Sequence, residues 1–160
     1  MNVPEFDALP ASDAERELLT VCRAPRWARE VAAGRPYGTA DALQAAAAAA
    51  LTHADLDEAM AGHPRIGDRS AGGQSRREQS TVATAEADVL TALAEGNREY
   101  EERFGHVYLV CASGRSAEDL LATLRKRLGN DPETERAVAL GELAAINRIR
   151  IAQLVGEDRA

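Results

Sequence analysis

Three histidines, one Ser-x-x-Glu-Gln run and two arginines near the C-terminus are the side chains of this 160-residue sequence best suited to proton transfer or anion binding. His63 stands directly before Pro64, which pushes its backbone out of the helical region, so the imidazole projects from an extended or turn segment. A histidine so placed can give or take a proton near neutral pH. The same placement also suits a purely structural histidine, and the pattern does not choose between them. His53 sits at a helix junction two residues before Asp55 and reads as a cap or surface residue. His106 follows Phe104-Gly105, with either a site or the core open to it.

Beyond His63 the chain runs through a stretch rich in Gly, Ser and Arg to Ser75-x-x-Glu78-Gln79. Ser-x-x-Glu is first of all a capping box, in which the hydroxyl and the carboxylate satisfy each other's backbone amides. A helix start also points unpaired N–H groups at whatever precedes it and attracts anions. A small anionic ligand reached by His63 would there meet amides, the two-way hydrogen-bonding group of Gln79, and the carboxylate of Glu78. A carboxylate beside an anion is costly, and relief of that repulsion favours a reaction that expels CO2. Near the C-terminus, Arg148 and Arg150 point to different helix faces, and Arg150 lies between two isoleucines. A partly buried guanidinium needs an anionic partner, either a protein carboxylate or a substrate. No HxxH, HExxH or Cys/His cluster suggests a metal, and there is no GxGxxG or phosphate-binding loop.

The elements that must position these groups read as helices. Ala and Leu are abundant, aromatics make up only 4%, and the β-branched residues that favour strands are few. Residues 1–11, with Pro4 and Pro10, read as an extended N-terminal arm. Ser12-x-x-Glu15 is a capping box for a helix over 13–22, and Pro25 opens a second to about Ala33. Thr39 caps the alanine-rich helix ending near Leu51, and residues 55–61 add further turns closed by Gly62. Ser75 starts a long helix that Gly96 ends, and Asn97 begins a short one to Phe104. Residues 106–112 (HVYLVCA) are the lone strand-like run. Without a partner they make no sheet, so a buried extended segment is expected. Ser116-x-x-Asp119 and Asp131-Pro132 start the last two helices. The expectation is an all-α, single-domain compact bundle of about seven to nine helices over 1–160.

A net charge of −7 argues against a nucleic-acid binder. The longest apolar run, residues 45–51, is too short for a bilayer, and the N-terminus carries no secretory pattern, so a cytoplasmic protein is expected. Cys22 and Cys111 form no CxxC pair and read as reduced thiols.

Taken together, His63-Pro64-x-Ile66-Gly67, Ser75-x-x-Glu78-Gln79, Asn97-x-x-Tyr100-x-x-x-Phe104-Gly105-x-x-Tyr108 and Arg150, in that order, resemble the 2-oxo-4-hydroxy-4-carboxy-5-ureidoimidazoline (OHCU) decarboxylases of urate degradation. The resemblance spans about residues 6–155. It implies an all-helical, cofactor-free and commonly homodimeric enzyme whose small-molecule substrate is OHCU and whose product is (S)-allantoin. It assigns His63 as the catalytic acid and Glu78 as its partner in positioning and destabilising the departing carboxylate. Pro64, Ser75 and Gln79 would line the pocket, backbone groups of Tyr108, Leu109, Val110, Cys111 and Ala112 would hold the ring or ureido group, and Arg150 would clamp the carboxylate. The Gly67–Gln74 stretch is shorter than relatives often carry, and His106-Val107-Tyr108 replaces a more usual Phe-containing sequence. Two other readings remain at this point: a decarboxylase of a related unstable carboxylated heterocycle, and a non-catalytic helical interaction module whose Ser75-x-x-Glu78 is only a cap.

Overall fold

Among the residues that the computed structural model describes (1–63, 65–66 and 87–156), the backbone forms eight α-helices and no strand. The all-α reading is borne out. The chain divides into two compact units, residues 1–62 with 144–160, and residues 63–143.

In the first unit, α1 (Val3–Ala8) replaces the expected extended arm. Asn2 Oδ1 accepts from the Glu5 amide and Glu5 Oε1 accepts from the Asn2 amide, each at 2.8 Å, a capping box that the flanking prolines obscure in the sequence. Pro4 falls in the first turn, where its missing N–H costs no intrahelical bond. The far end of α1 is tied down by Arg35, whose Nη1 donates to the carbonyls of Phe6 and Leu9 at 2.8 and 2.7 Å.

Helix α2 (Ala11–Val21) starts earlier than Ser12 would have it. The carbonyl of Pro10 accepts from the amides of Asp13 and Ala14, both at 3.0 Å, so Pro10 is the cap and Ser12 lies within the first turn. Helix α3 (Pro25–Ala33) begins at its proline as expected, and α4 (Ala40–Ala50) is capped by Thr39 Oγ1, which accepts from the Ala42 amide at 3.1 Å. The alanines of α4 let α3 come close: buried Trp27 donates its indole N–H to the Ala47 carbonyl at 2.9 Å. Helix α5 (His53–Ala61) buries Leu56 and Met60 and ends at Gly62.

The second unit is built on α6 (Ala87–Phe104), α7 (Ala117–Arg127) and the start of α8 (Pro132–Val155), which continues from residue 144 in the first unit. The expected long helix from Ser75 lies outside the described residues over 75–86. Gly96 does not end a helix, nor does Asn97 begin one. Both lie inside α6. The reason is packing: a Cβ on Gly96 would fall 2.5 Å from Leu124 Cδ2, so this glycine lets α7 approach α6. Gly105, at φ +78°, is the residue that turns the chain out of α6. Ser116 caps α7 by accepting from the Asp119 amide at 3.1 Å, and Asp131 Oδ1 accepts from the Thr134 amide at 2.8 Å at the start of α8. No helix among the described residues is long and apolar enough to cross a membrane.

Candidate active site

His63 follows directly on the Gly62 cap of α5, in a half-buried bend. The turn it opens is held from α6. Arg65 donates Nε to Glu101 Oε2 at 2.7 Å and Nη2 to Oε1 at 2.9 Å, a two-pronged pair. Buried Asn97 donates Nδ2 to the Ile66 carbonyl at 3.1 Å, and its Oδ1 has no hydrogen-bond partner among the described residues. Asn97 and Glu101 stand one helical turn apart on one face of α6. A cavity of about 680 Å³ opens beside this turn, lined by Arg65, Ile66, Asn97, Arg98, Glu101 and Glu102 among others.

Residues 107–112 form the expected extended, unladdered segment, with Tyr108, Leu109, Val110 and Ala112 buried and Cys111 half-buried. Ile66 shares one hydrophobic cluster with Tyr108, Val110, Ala112, Leu93 and Tyr100, so this segment and the His63 turn are built on the same core. Several of the segment's backbone groups already have partners: the Ala112 carbonyl accepts from the Arg115 amide at 3.0 Å, and His106 Nδ1 lies 3.1 Å from the Val107 carbonyl. Arg127 Nη1 donates to the Leu109 carbonyl at 2.8 Å, and Glu142 Oε1 accepts from the Cys111 amide at 2.8 Å. Polar backbone buried without a ladder draws side chains to itself, since each unmade bond would cost roughly 1–3 kcal/mol.

Arg127 is itself buried. Its guanidinium lies 4.9 Å from the Tyr108 ring centroid and donates Nε to Glu135 Oε2 at 2.8 Å. The Tyr100 hydroxyl donates to the same carboxylate oxygen, and Asn130 Nδ2 donates to Glu135 Oε1 at 3.1 Å. Burial raises the Tyr100 phenol well above its usual range, and the Glu135 carboxylate raises it further. Burial does the same to Tyr108, whose hydroxyl donates to the Leu120 carbonyl at 2.9 Å. Both phenols therefore serve as neutral donors. His106 is half-buried, its ring 5.5 Å from that of Tyr100 and 6.2 Å from that of Phe104, which places it against this aromatic group.

Arg150 belongs to the first unit, where it is buried and Nη1 donates to the Val21 carbonyl at 3.0 Å. Next to Val21, burial pushes the Cys22 thiol up to about 11, so it stays protonated at neutral pH. Pro64, Ser75, Glu78 and Gln79 lie outside the described residues. Among the described residues no group of three or more His, Cys, Asp or Glu side chains could hold a metal ion.

The sequence reading missed Asn97, Glu101, Arg127 and Glu135. The last turn of α7 reads Arg125-Lys126-Arg127, a run that complements the helix dipole on a solvated face, and only the following Gly129 turn brings one of the three onto Glu135.

The OHCU decarboxylase family model matches residues 7–152 of the chain. The chain is 30% identical over 154 residues to the uric acid degradation bifunctional protein TTL of Arabidopsis thaliana, covering 89% of this chain and 48% of that one, so it spans about half of that relative. It is 27% identical over 143 residues to the 2-oxo-4-hydroxy-4-carboxy-5-ureidoimidazoline decarboxylase of Amia calva, covering 83% and 82% of the two chains. Its backbone matches the crystal structure of an OHCU decarboxylase in the presence of (S)-allantoin, with a TM-score of 0.79, 31% identity, and coverage of 88% of this chain and 98% of that one.

Proposed function

Since the chain belongs to the OHCU decarboxylase family, we propose that it converts OHCU to (S)-allantoin and CO2 in the degradation of urate. The observation that carries this reading is the match, over 88% of this chain, to a 31%-identical OHCU decarboxylase whose crystal structure was determined in the presence of (S)-allantoin. In the proposed reaction the C4–carboxylate bond breaks, CO2 leaves, and the electron pair moves into the neighbouring ring C=N, whose nitrogen takes up a proton. The resulting enediol-like species regains a carbonyl at C4 and is protonated at C5 on one face, which sets the (S) centre. The substrate supplies its own electron sink, so the protein's part is to bind, orient and move protons.

In this scheme His63 is the acid that hydrogen-bonds the hydroxyl and carboxylate region, a role worth about 10²–10⁴-fold in rate. Glu78 orients it and repels the departing carboxylate. Pro64, Ser75 and Gln79 line the pocket, and Arg150 fixes the carboxylate. The backbone of residues 108–112 holds the ring or ureido group through groups other than the Cys111 amide, the Leu109 carbonyl and the Ala112 carbonyl, which Glu142, Arg127 and the Arg115 amide engage. We assign the functional protein as a cytoplasmic homodimer acting as one domain, in keeping with the family.

The experiment is to generate OHCU from 5-hydroxyisourate and follow its decay and the chirality of the allantoin formed. Accelerated decay to (S)-allantoin is expected. Decay at the uncatalysed rate to racemic product would remove the reading. His63→Ala and Glu78→Ala should each cut the acceleration by about 10²-fold or more while keeping helical circular dichroism, and gel filtration with light scattering should give twice the chain mass.

A further inference from the structure

We propose that Asn97 and Glu101, one turn apart on α6, are positioning residues that set the placement of His63, an inference that rests on the catalytic role proposed for that histidine. Both hold the turn His63 opens, by different means. Glu101 grips the Arg65 guanidinium through both carboxylate oxygens, at 2.7 and 2.9 Å, which fixes orientation as well as distance. Asn97 takes the Ile66 carbonyl at 3.1 Å, and the Ile66 side chain is buried in the core cluster below. Residues two and three beyond His63 are thus fixed through a side chain, a backbone oxygen and an apolar anchor. Consecutive Cα atoms are about 3.8 Å apart, so a shift at Ile66 has few bonds over which to dissipate before it reaches His63.

Stability alone does not explain this choice of residues. Asn97 is 1% exposed, yet among the described residues its Oδ1 has no partner, a cost that a leucine in the same helix interior would not carry. What the amide does, and leucine cannot, is donate to the Ile66 carbonyl. Arg65 is 62% exposed, and an ion pair there adds little to folding while it orients the main chain. Misplacement of a catalytic group by about 1 Å can cost on the order of 10²-fold in rate. The two tethers are suited to prevent that.

The test uses Asn97→Leu and Glu101→Gln in the full chain. Both should keep the helical spectrum, and Asn97→Leu should still fold, though melting lower than the wild type because the Ile66 carbonyl loses its donor. Each should lower kcat at least about tenfold with KM changed less than about threefold, the pattern of an interaction lost in the transition state rather than in binding. Placed on His63→Ala, neither should lower the residual rate further, and Glu101→Asp should recover part of the loss. Wild-type-like kcat in Glu101→Gln, or losses that add to those of His63→Ala, would overturn the inference. If Asn97→Leu does not fold, Glu101→Gln at the surface end of the turn decides alone. Full activity in His63→Ala would instead overturn the catalytic reading on which the inference stands.

Discussion

Arg127 and Glu135, 6% and 0% exposed, form a buried ion pair across the turn that links α7 to α8, with the guanidinium also reaching the Leu109 carbonyl. The pair therefore ties the extended segment to two helices at once. The Tyr100 hydroxyl completes the set on the Glu135 carboxylate. Removing one member strands the other's charge in a buried site, which typically costs about 3–5 kcal/mol. Glu135→Ala and Arg127→Ala should each lower unfolding free energy by that order in urea titrations, and Tyr100→Phe by about 1.5–3 kcal/mol, as befits a hydrogen bond to a charged group. A loss under about 1 kcal/mol in Glu135→Ala would show that water reaches the Arg127 guanidinium.

Gly96 makes a second demand on the same unit. An added methyl would meet Leu124 Cδ2 at 2.5 Å, a distance that forces one of them to move. Alanine is the better helix former by roughly 0.8–1.0 kcal/mol, but overpacking a tight helix contact costs about 1–3 kcal/mol. Gly96→Ala is expected to be net destabilising by about 1 kcal/mol. In the Leu124→Ala background, where the obstruction is gone, the same change should become stabilising, and a double-mutant cycle of urea midpoints reads that reversal directly.

These two cases mark where the sequence was legible. Helix starts with a local chemical signal were read correctly: Pro25, Thr39, Ser116 and Asp131-Pro132 each begin a helix as expected. Errors arose where two local signals competed or where a distant element decided. Prolines at 4 and 10 hid the Asn2–Glu5 capping box, and Pro10 took over the cap that Ser12 was expected to supply. Gly96 looked like a stop because nothing near it in sequence reveals Leu124. The site follows the same rule. The His63 turn and the buried extended segment stand out by composition and neighbours, whereas their holders lie far along the chain: Glu101 is 36 residues from Arg65 and Glu142 is 31 from Cys111. Periodicity carries no information at that range.

Asp55 gives a prediction with a pH sign. Its carboxylate is buried at the start of α5, which works against its charge, but Arg26 donates Nε at 3.0 Å and Nη2 at 2.7 Å, and Thr52 adds its amide at 2.9 Å. These donors outweigh burial and hold the acid below its ordinary range. Its folded-state pKa thus lies below the unfolded value of about 3.9. The stabilisation is present in full above that value and is lost as pH falls through the lower, folded one. Asp55→Asn should accordingly be less stable than the wild type at pH 7, and the two unfolding curves should converge as pH drops below about 4. A constant gap down to pH 3 would mean that Arg26 and Thr52 hold the neutral acid as well as the anion.

Arg150 is where folding and the proposed chemistry can be separated by experiment. Its guanidinium donates to the Val21 carbonyl at 3.0 Å from a buried position between Ile149 and Ile151, so part of its value is structural. A carboxylate clamp needs the planar, two-pronged donor set that lysine lacks, whereas a single bond to a carbonyl does not. Arg150→Lys can keep one donor near Val21 and is expected to lose only about 1–2 kcal/mol of stability. If Arg150 also binds the substrate carboxylate, KM for OHCU should rise by about tenfold or more, the effect of losing one charged hydrogen bond in binding. Arg150→Met fills similar volume without any donor and should raise KM further. Unchanged KM in Arg150→Lys with lowered stability would leave this arginine as a brace for the end of α2 and assign the carboxylate to other donors.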